Sequence, residues 1–314
     1  MFDLNDIQAF AEVVESGGFG RAGQRLGLSK SMVSRRVARL EGELGAKLLS
    51  RTTRGVLVTE AGLAFKVHAD RVIADLDAAR DAIASQGDQV VGTLRVAAPL
   101  SFGLTHLAPV LAELAMRHPD LKLEASYSDR FVDLIGERFD VAVRVGFLVD
   151  SSLIARRIAP INAAAVASPG YLARFGAPAT PSDLAHHPAL TQGDEVWRFR
   201  DGEREIVVRP QGRFRADNGQ ALLDGVIAGL GVAVLPTFLA SPALESGQAV
   251  PLLPDYPIPQ GGLYVVRPPP AGPATRKVRA LTDLLVERFG GEPYWDGCYA
   301  ARKAAGAGAG RLPA

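Results

Sequence analysis

The stretch GLSKSMVSRRVARLEGELG, residues 27–45, decides the fold of the N-terminal region. Its apolar side chains Val33, Val37, Leu40 and Leu44 recur at the spacing of one helix face, which predicts a helix over residues 30–44. A Ser precedes this helix at the N-cap position and a Gly follows it at the C-cap position. The opposite face carries hydroxyl and basic side chains, which a helix that only fills a core does not need. The pattern therefore predicts one buried face and one face that contacts a partner.

Two shorter helices are predicted before this one and a β-hairpin after it. Residues 4–15 place apolar side chains at helical spacing, and residues 20–26 form a second helix that ends at Gly27. Two short helices joined by a Gly-containing turn are typical of a helix-turn-helix. Residues 48–59 alternate into β character on either side of a basic tip. This order predicts a winged helix-turn-helix.

The positive charge of the chain is concentrated in this region. Residues 21–54 contain nine Lys or Arg and two Glu, a net +7, whereas the whole chain has a net charge of +1. A basic patch confined to one small segment favours a polyanionic partner at that segment. A solvated basic helix face is the alternative for the third helix taken alone.

The outward face of the third helix suits the major groove of DNA. Small side chains let the backbone approach, hydroxyls bond bases or phosphates, and Arg binds guanine in a bidentate manner. The wing tip is expected to reach phosphates or the minor groove. The candidate DNA-binding residues are Lys30, Ser31, Ser34, Arg35, Arg36, Arg39, Arg51, Thr52, Thr53 and Arg54.

A long helix is predicted after the wing. Between residues 60 and 86, apolar side chains recur at intervals of four and three, which is the 3.5-residue seam of a coiled coil. The seam consists of Phe65, Ala69, Val72, Leu76, Ala79 and Ile83. It predicts a dimer, and an ordinary amphipathic helix packed on a globular core is the alternative.

Strands and helices alternate from residue 92 onward. Strands are expected at 92–99, 121–127 and 140–145, with a helix at 104–119 and a short helix before the third strand. Such alternation favours βαβ units and a mostly parallel sheet. A second series begins near residue 162 and includes a helix at 219–228 and a strand at 232–236, and a helix at 276–289 closes the fold. The two series predict two α/β lobes.

Several ordered motifs resemble the LysR-type transcriptional regulator family. They are LNDIQAFAEVVESGGFGRAGQRLGLSKSMVSRRVARLEGELGAKLLSRTTRGVLVTEAG, GTLRVAAPLSFG, ERFDVAVRVG, ASPGYLARFG and AGLGVAVLP, and the resemblance covers residues 2–290. It implies a mixed fold: an all-α winged helix-turn-helix, a dimerising linker helix and a two-lobed α/β effector domain resembling periplasmic binding proteins. It also implies tetramers, formed as a dimer of dimers, on promoter DNA.

The domain boundaries follow from these elements. We predict a winged helix-turn-helix at 1–59, a linker helix at 60–88 and an effector domain at 89–292. Lobe I comprises 89–161 and 266–292, and lobe II comprises 162–265. The Ala- and Gly-rich segment 293–314 is predicted to be disordered.

An effector is expected between the lobes, at the carboxyl ends of strands. This rule points to the segment Pro99, Leu100, Ser101 and Phe102, where a helix N-terminus favours a small carboxylate. The resemblance adds Ser128, Asp129, Val145, Gly146, Ala167, Asn218 and Gly219. Arg144 either pairs with a ligand carboxylate or forms a structural ion pair, and the structural role is favoured.

Other classes of function have little support in the sequence. The single Cys298 excludes an internal disulfide, and His186-His187 lacks a third metal ligand at useful spacing. No nucleophile elbow, Walker loop or paired-carboxylate pattern occurs, so no catalytic residue, metal or cofactor is expected. The N-terminus MFDLNDIQAF lacks the positive charge of a signal peptide, which predicts a cytoplasmic protein without a membrane segment.

The sequence therefore predicts a DNA-binding transcriptional regulator controlled by a small organic or aromatic acid. Its expected partners are double-stranded promoter DNA, a small-molecule effector, further copies of itself up to a tetramer and RNA polymerase. The alternatives are a cytoplasmic solute-binding protein with an adaptor domain and an enzyme built on the two lobes.

Overall fold

The computed structural model describes residues 3–52, 55–83, 89–149, 151–269, 274–297 and 299. The chain divides into two compact units. The first comprises Met1–Gln89, Asp133–Phe139 and Pro270–Arg276, and the second comprises Val90–Val132, Asp140–Pro269 and Lys277–Ala314.

The first unit contains three short helices, a hairpin and a long helix. These elements are α1 (Leu4–Ser16), α2 (Phe19–Leu26), α3 (Lys30–Leu44), β1 (Leu49–Thr52), β2 (Gly55–Val58) and α4 (Glu60–Ile83). Strands β1 and β2 pair antiparallel, as expected for a wing. The predicted bounds of α3 are confirmed, and α1 and α2 each extend one residue beyond the prediction.

Local capping explains where α3 begins and ends. Ser29 has an extended backbone, and its hydroxyl accepts a hydrogen bond from the Met32 amide at 3.2 Å. Gly45 adopts a left-handed conformation with φ of 64°, which costs Gly little and other residues more. Both caps agree with the sequence prediction.

The apolar stripe of α3 forms the centre of the N-terminal core. Val33, Val37 and Leu40 are buried together with Phe10 from α1 and Leu48 from the segment before the wing. The turn between α2 and α3 is tight, because a Cβ on Gly23 would lie 2.7 Å from the Leu28 carbonyl oxygen. Burial of this stripe fixes which face of α3 remains outside.

Helix α4 buries two positions of the predicted seam in its own domain. The ring of Phe65 lies 5.6 Å from that of Phe10, and Ala69 is buried in the same core. These two positions therefore pack on the helix-turn-helix itself, because α4 crosses α1 at its N-terminal half. Leu63 and Val67 are exposed instead, at 59% and 54%. The coiled-coil seam is therefore wrong at Phe65 and Ala69, whereas Val72 is 47% exposed and Leu76 is half-buried. The side chains of Ala79 and Ile83 lie outside the described residues.

A buried ion cluster joins α4 to the segment 133–139 within the first unit. The Asp70 carboxylate is 3% exposed and accepts hydrogen bonds from Arg138 Nε and Lys66 Nζ. Arg138 also donates to Glu15 on α1 at 2.9 Å. Where a short helix was predicted before the third strand, the structure has turns, and these turns carry Arg138.

The second unit contains a five-stranded sheet and a three-stranded sheet. The strands of the first sheet, in spatial order β4-β3-β5-β14-β6, are Leu121–Tyr127, Gly92–Ala98, Val141–Gly146, Gly261–Arg267 and Ile154–Ile161. The strands of the second, in the order β12-β7-β13, are Ala233–Pro236, Ala163–Ala167 and Val250–Leu252.

The expectation of a mostly parallel sheet was wrong. Strand β3 pairs parallel to β4 and β5, whereas β14 pairs antiparallel to β5 and β6. All pairs of the three-stranded sheet are antiparallel. In the chain, β14 follows all three strands of the second sheet and then joins the first sheet. It is not connected to a neighbouring strand of that sheet by a βα crossover, which would require the two strands to be parallel.

Short strands and helices complete this unit. The strands are β8 (Leu190–Thr191), β9 (Trp197–Asp201), β10 (Arg204–Val208) and β11 (Phe214–Arg215). The helices are α5 (Leu100–Phe102), α6 (Ala108–Arg117), α7 (Pro169–Phe175), α8 (Gly219–Ile227), α9 (Thr237–Glu245) and α10 (Arg276–Phe289). A π-helical turn over Gly103–Leu107 joins α5 to α6, and 3₁₀ turns cover Pro181–His186 and Tyr294–Asp296.

The segment after α10 is packed into the fold, which corrects part of the predicted disorder after residue 292. Trp295 is 3% exposed, and its ring contacts those of Phe102, Phe238 and Phe289. The Ser241 hydroxyl donates to the Trp295 carbonyl oxygen. The low-complexity composition gave no indication that Trp295 packs in this way. Residues 300–314 lie outside the described part of the chain.

Candidate functional site

The outward face of α3 is basic and open. Lys30, Ser31 and Arg35 are exposed, whereas Ser34 and Arg36 are half-buried at its edges. Within the described residues, no ion pair holds Lys30 or Arg35. The structure therefore brings five predicted DNA contacts onto one helix face, and the two central basic side chains are available to an external anion.

Arg39 has a different role from the one predicted for it. Its Nη2 and Nε donate to the two carboxylate oxygens of Asp6, and Nη2 also donates to Asp3 at 3.2 Å. Donation of these hydrogen bonds to the Asp6 carboxylate raises the pKa of Arg39 above its ordinary value. The side chain joins α3 to the start of α1 because helix packing places the buried Asp6 beside it. Arg39 is thus held by two carboxylates, and its contact with DNA stays a prediction.

The wing is anchored by a residue that the sequence analysis missed. Glu41 is buried on α3, and its Oε1 accepts hydrogen bonds from the amides of Leu48 and Leu49 at 3.0 and 3.1 Å. Its other oxygen binds Lys47 Nζ at 2.7 Å. Burial alone would raise the pKa of Glu41, but these hydrogen bonds outweigh it and hold the pKa below its ordinary value.

The wing tip is only partly described. Arg51 and Thr52 lie on β1, where the backbone is paired with β2. Their side chains, and the whole of Thr53 and Arg54, lie outside the described part of the chain. The predicted wing contacts therefore remain predictions.

A cavity of about 900 Å³ lies within the second unit, between the two sheets. It is bordered by the ends of β3, β5 and β12 and by the start of α8. Eight of the residues predicted to bind an effector line it. They are Pro99, Ser101, Phe102, Ser128, Asp129, Val145, Gly146 and Gly219.

Three other predicted residues do not line this cavity. Ala167 is fully buried at the end of β7 and packs in the core around Tyr171 and Phe199. Leu100 and Asn218 lie beside the cavity and hold its wall through hydrogen bonds.

These hydrogen bonds occupy the position predicted to bind a ligand carboxylate. The Leu100 amide, at the start of α5, donates to Asp129 Oδ1 at 2.8 Å. Asn218, the N-cap of α8, donates to Asp129 Oδ2 at 2.6 Å and to the Ser101 hydroxyl at 3.2 Å. The Asp129 carboxylate thus accepts the hydrogen bond of the first amide of α5. The anion site that the sequence predicted at this helix N-terminus is therefore occupied by the chain itself.

The remaining polar side chains of the cavity lie away from that helix start. The Arg144 guanidinium stacks on the ring of Phe131, with 4.2 Å from Cζ to the ring centre. Glu195 accepts hydrogen bonds from the Trp197 indole at 3.1 Å and from the Gln192 amide at 3.2 Å. Burial raises the pKa of Glu195, although these hydrogen bonds oppose it. Sequence reasoning missed Phe131, Glu195 and Trp197, because they follow no strand-end motif.

Two other features bear on the class of protein. Among the described residues, no group of His, Cys, Asp and Glu has the arrangement of a metal site. No helix in the described part of the chain is long and apolar enough to cross a membrane.

A winged helix-turn-helix with an open basic face, followed by a two-sheet α/β unit with a cavity, defines a DNA-binding regulator with a ligand-sensing domain. Residues 4–63 match the family of bacterial regulatory helix-turn-helix proteins of the lysR type, and residues 87–290 match the LysR substrate binding domain. The chain belongs to the LysR family of transcriptional regulators. It is a regulator and not an enzyme.

Relatives of known name support this assignment along nearly the whole chain. The regulator PtxR of Pseudomonas aeruginosa is 38% identical over 297 residues, which cover 93% of this chain and 95% of that protein. DmlR of Escherichia coli is 32% identical, with 91% of this chain and 94% of that protein covered. Both are named HTH-type transcriptional regulators.

Solved structures agree with the fold. CrgA, a LysR-type transcriptional regulator from Neisseria meningitidis, is 31% identical with a TM-score of 0.58, over 91% of this chain and 99% of that one. The full-length Vibrio cholerae virulence activator AphB is 27% identical with a TM-score of 0.58, over 91% and 99%. A full-length OxyR variant from Pseudomonas aeruginosa, at 17% identity and a TM-score of 0.68, shows the fold alone.

Proposed function

We propose that the chain reads promoter DNA through one face of α3 and that an organic acid in the cavity of the second unit changes its activity. The DNA-contacting residues are Lys30, Ser31, Ser34, Arg35 and Arg36. Arg51, Thr52, Thr53 and Arg54 of the wing contact phosphates. The observation that carries this proposal is the exposed face of α3, where Lys30 and Arg35 have no ion pair within the described residues.

The proposal extends to the assembly of the protein. The exposed apolar side chains of α4 at Leu63, Val67 and Val72 favour self-association through this helix, with two such dimers forming a tetramer. The regulator acts in the cytoplasm, where it meets the promoter and RNA polymerase.

DNA binding by the full chain tests the proposal. Fluorescence anisotropy with the DNA upstream of its own gene, over a salt series, should show affinity that falls steeply with salt. Arg35→Ala should weaken specific binding by about 1–3 kcal/mol and relax the sequence preference, while Arg51→Ala should weaken all DNA about equally.

The matched control is Arg156→Ala in the second unit, whose guanidinium pairs with Asp283 on the surface and should not affect DNA binding. Equal affinity of wild type and Arg35→Ala for this DNA would contradict the assignment of the reading face.

A further inference from the structure

We propose, on the basis of the function proposed above, that the cavity binds a monocarboxylate with an apolar body, and that Arg144 pairs with its carboxylate. This places the ligand's charge on β5, not at the start of α5 where the sequence suggested an anion site. It also limits the ligand to one negative charge.

The first step is that the start of α5 has no room for a second carboxylate. Asp129 already accepts the Leu100 amide and the Asn218 side chain at 2.8 and 2.6 Å. A ligand anion placed there would lie beside a charged carboxylate, and like charges at such short range repel. A cation elsewhere in the cavity must therefore pair with the carboxylate of an acidic ligand.

The second step concerns the cations of the cavity wall. Arg144 on β5 lines the cavity, and within the described residues no carboxylate forms an ion pair with it. Burial lowers the pKa of Arg144, as expected for a guanidinium that has lost water without gaining a counterion. Arg130 and Arg198 also line the cavity, but each already has an interaction within the chain, which for Arg198 is the ion pair with Glu205 at 2.8 Å. A ligand carboxylate beside Arg144 would supply the missing counterion through charge-assisted hydrogen bonds.

The third step concerns the geometry of Arg144. The Arg144 guanidinium lies over the face of the Phe131 ring, the side that cation–π contact favours, and Phe131 itself is 77% exposed. This contact leaves the N–H groups at the edge of the guanidinium plane to bind a planar carboxylate. The aromatic ring beside it also offers an apolar surface next to the charged group.

The fourth step sets the charge and character of the rest of the ligand. Much of the remaining lining is apolar and includes Phe147, Val234, Leu235 and Ile258. Glu195 is a half-buried carboxyl of this lining, and the exposed Asp129 is another carboxyl there. A ligand with a second negative charge near Glu195 would add an anion where burial already disfavours the charged form and raises the pKa. The cavity thus favours a monocarboxylate over a neutral analogue, because of Arg144, and over a dicarboxylate, because of Glu195 and Asp129.

Binding of three matched probes to the full chain tests this inference. Phenylacetate, the neutral phenylacetamide and the dianionic phenylmalonate share one aromatic body. Titration is followed through Trp197, whose indole lines the cavity, with Trp197→Phe as the control for the signal. Phenylacetate should bind at least about 10-fold more tightly than either analogue, as expected for one charge-assisted pair.

Variants assign the preference to Arg144. Arg144→Gln should reduce phenylacetate affinity about 10- to 100-fold and bring it close to that of phenylacetamide. Arg144→Lys keeps the charge and should retain part of the preference, which separates loss of charge from a folding defect. Arg156→Gln, on the surface, should bind like wild type, and Glu195→Gln should improve phenylmalonate binding.

The inference is overturned if phenylacetamide binds as well as phenylacetate, if Arg144→Gln keeps the preference, or if no probe binds at all. DNA binding without any probe separates this outcome from failure of the proposed function. Folded Arg144→Gln should bind promoter DNA like wild type, so loss of probe binding alone concerns the ligand class. Absence of DNA binding by wild type would instead refute the proposed function.

Discussion

Arg35 and Arg39 lie one turn apart on α3, and their neighbours give them different roles. Arg35 is exposed with no ion pair in the described residues, whereas Arg39 is bound to the buried Asp6. The helical repeat places both near the outward face, so the sequence could not separate them. The difference arises from α1, whose first turn brings two aspartates against α3.

The two arginines therefore give opposite expectations. Arg39→Ala should lower the free energy of unfolding measurably, since it leaves Asp6 buried without its partner, although the exposure of Arg39 limits the loss. Arg35→Ala should change stability by less than about 0.5 kcal/mol. Urea unfolding followed by circular dichroism measures both. Equal stability losses for the two variants would contradict the assigned roles.

Glu41 gives a pH-dependent expectation. Its folded-state pKa is lowered, so its contribution to stability is present above the unfolded pKa and is lost as the pH falls through the folded value. Glu41→Ala should cost about 1–3 kcal/mol at neutral pH, because two buried amides lose their acceptor. Glu41→Gln is the matched control: it keeps an acceptor, should cost less, and should lose stability less steeply below about pH 4.3. Identical acid profiles for wild type and Glu41→Gln would exclude this role.

At the scale of elements, the apolar repeat of α4 predicts that a helix forms but not which of its faces is buried. The 3.5-residue spacing correctly predicts a long helix, but the same spacing suits a stripe that packs on its own domain. Phe65 and Ala69 face the N-terminal core, and Leu63 and Val67 are exposed. Only the packing of α4 on α1 decides which stripe remains for a partner.

The exposed stripe of α4 predicts where a charge would disrupt assembly. Val67→Glu should shift the sedimentation of the purified protein toward the monomer at equal concentration, with an unchanged circular dichroism spectrum. Phe65→Ala, on the buried stripe, should instead destabilise the first unit. The loss should not exceed about 3–5 kcal/mol, the cost of deleting a fully buried Phe, because Phe65 is only partly buried. An unchanged oligomeric state of Val67→Glu would show that this stripe is not the contact.

At the scale of the whole molecule, the segment after α10 belongs to the folded second unit. Trp295 packs on Phe102 beside the cavity, while His106 binds the Tyr294 hydroxyl at 2.5 Å. Burial lowers the pKa of His106, so its imidazole is neutral at pH 7. A sequence rich in Ala and Gly around this segment gave no sign of such packing.

Removal of the Trp295 ring therefore should affect the second unit as a whole. Trp295→Ala should lower its unfolding free energy by about 3–5 kcal/mol, the cost of deleting a buried aromatic side chain. Tyr294→Phe keeps the ring and removes one hydrogen bond, so it should cost only about 1 kcal/mol. Differential scanning calorimetry resolves the two values. A neutral effect of Trp295→Ala would place the end of the folded unit before residue 293.

The sequence by itself determined the N-terminal helices, their caps, the wing and the succession of strands and helices, because these features depend on side chains close together in the chain. It also indicated part of the cavity wall: the strand-end rule located the segment after β3, and the family resemblance added residues such as Ser128 and Gly219. Tertiary structure alone decided the antiparallel return of β14, the inward face of α4 and the pairing of Arg39 with Asp6. It also placed Asp129 on the helix start and left Arg144 without a counterion in the described residues. Each of these depends on contacts between segments far apart in sequence, which no local pattern records.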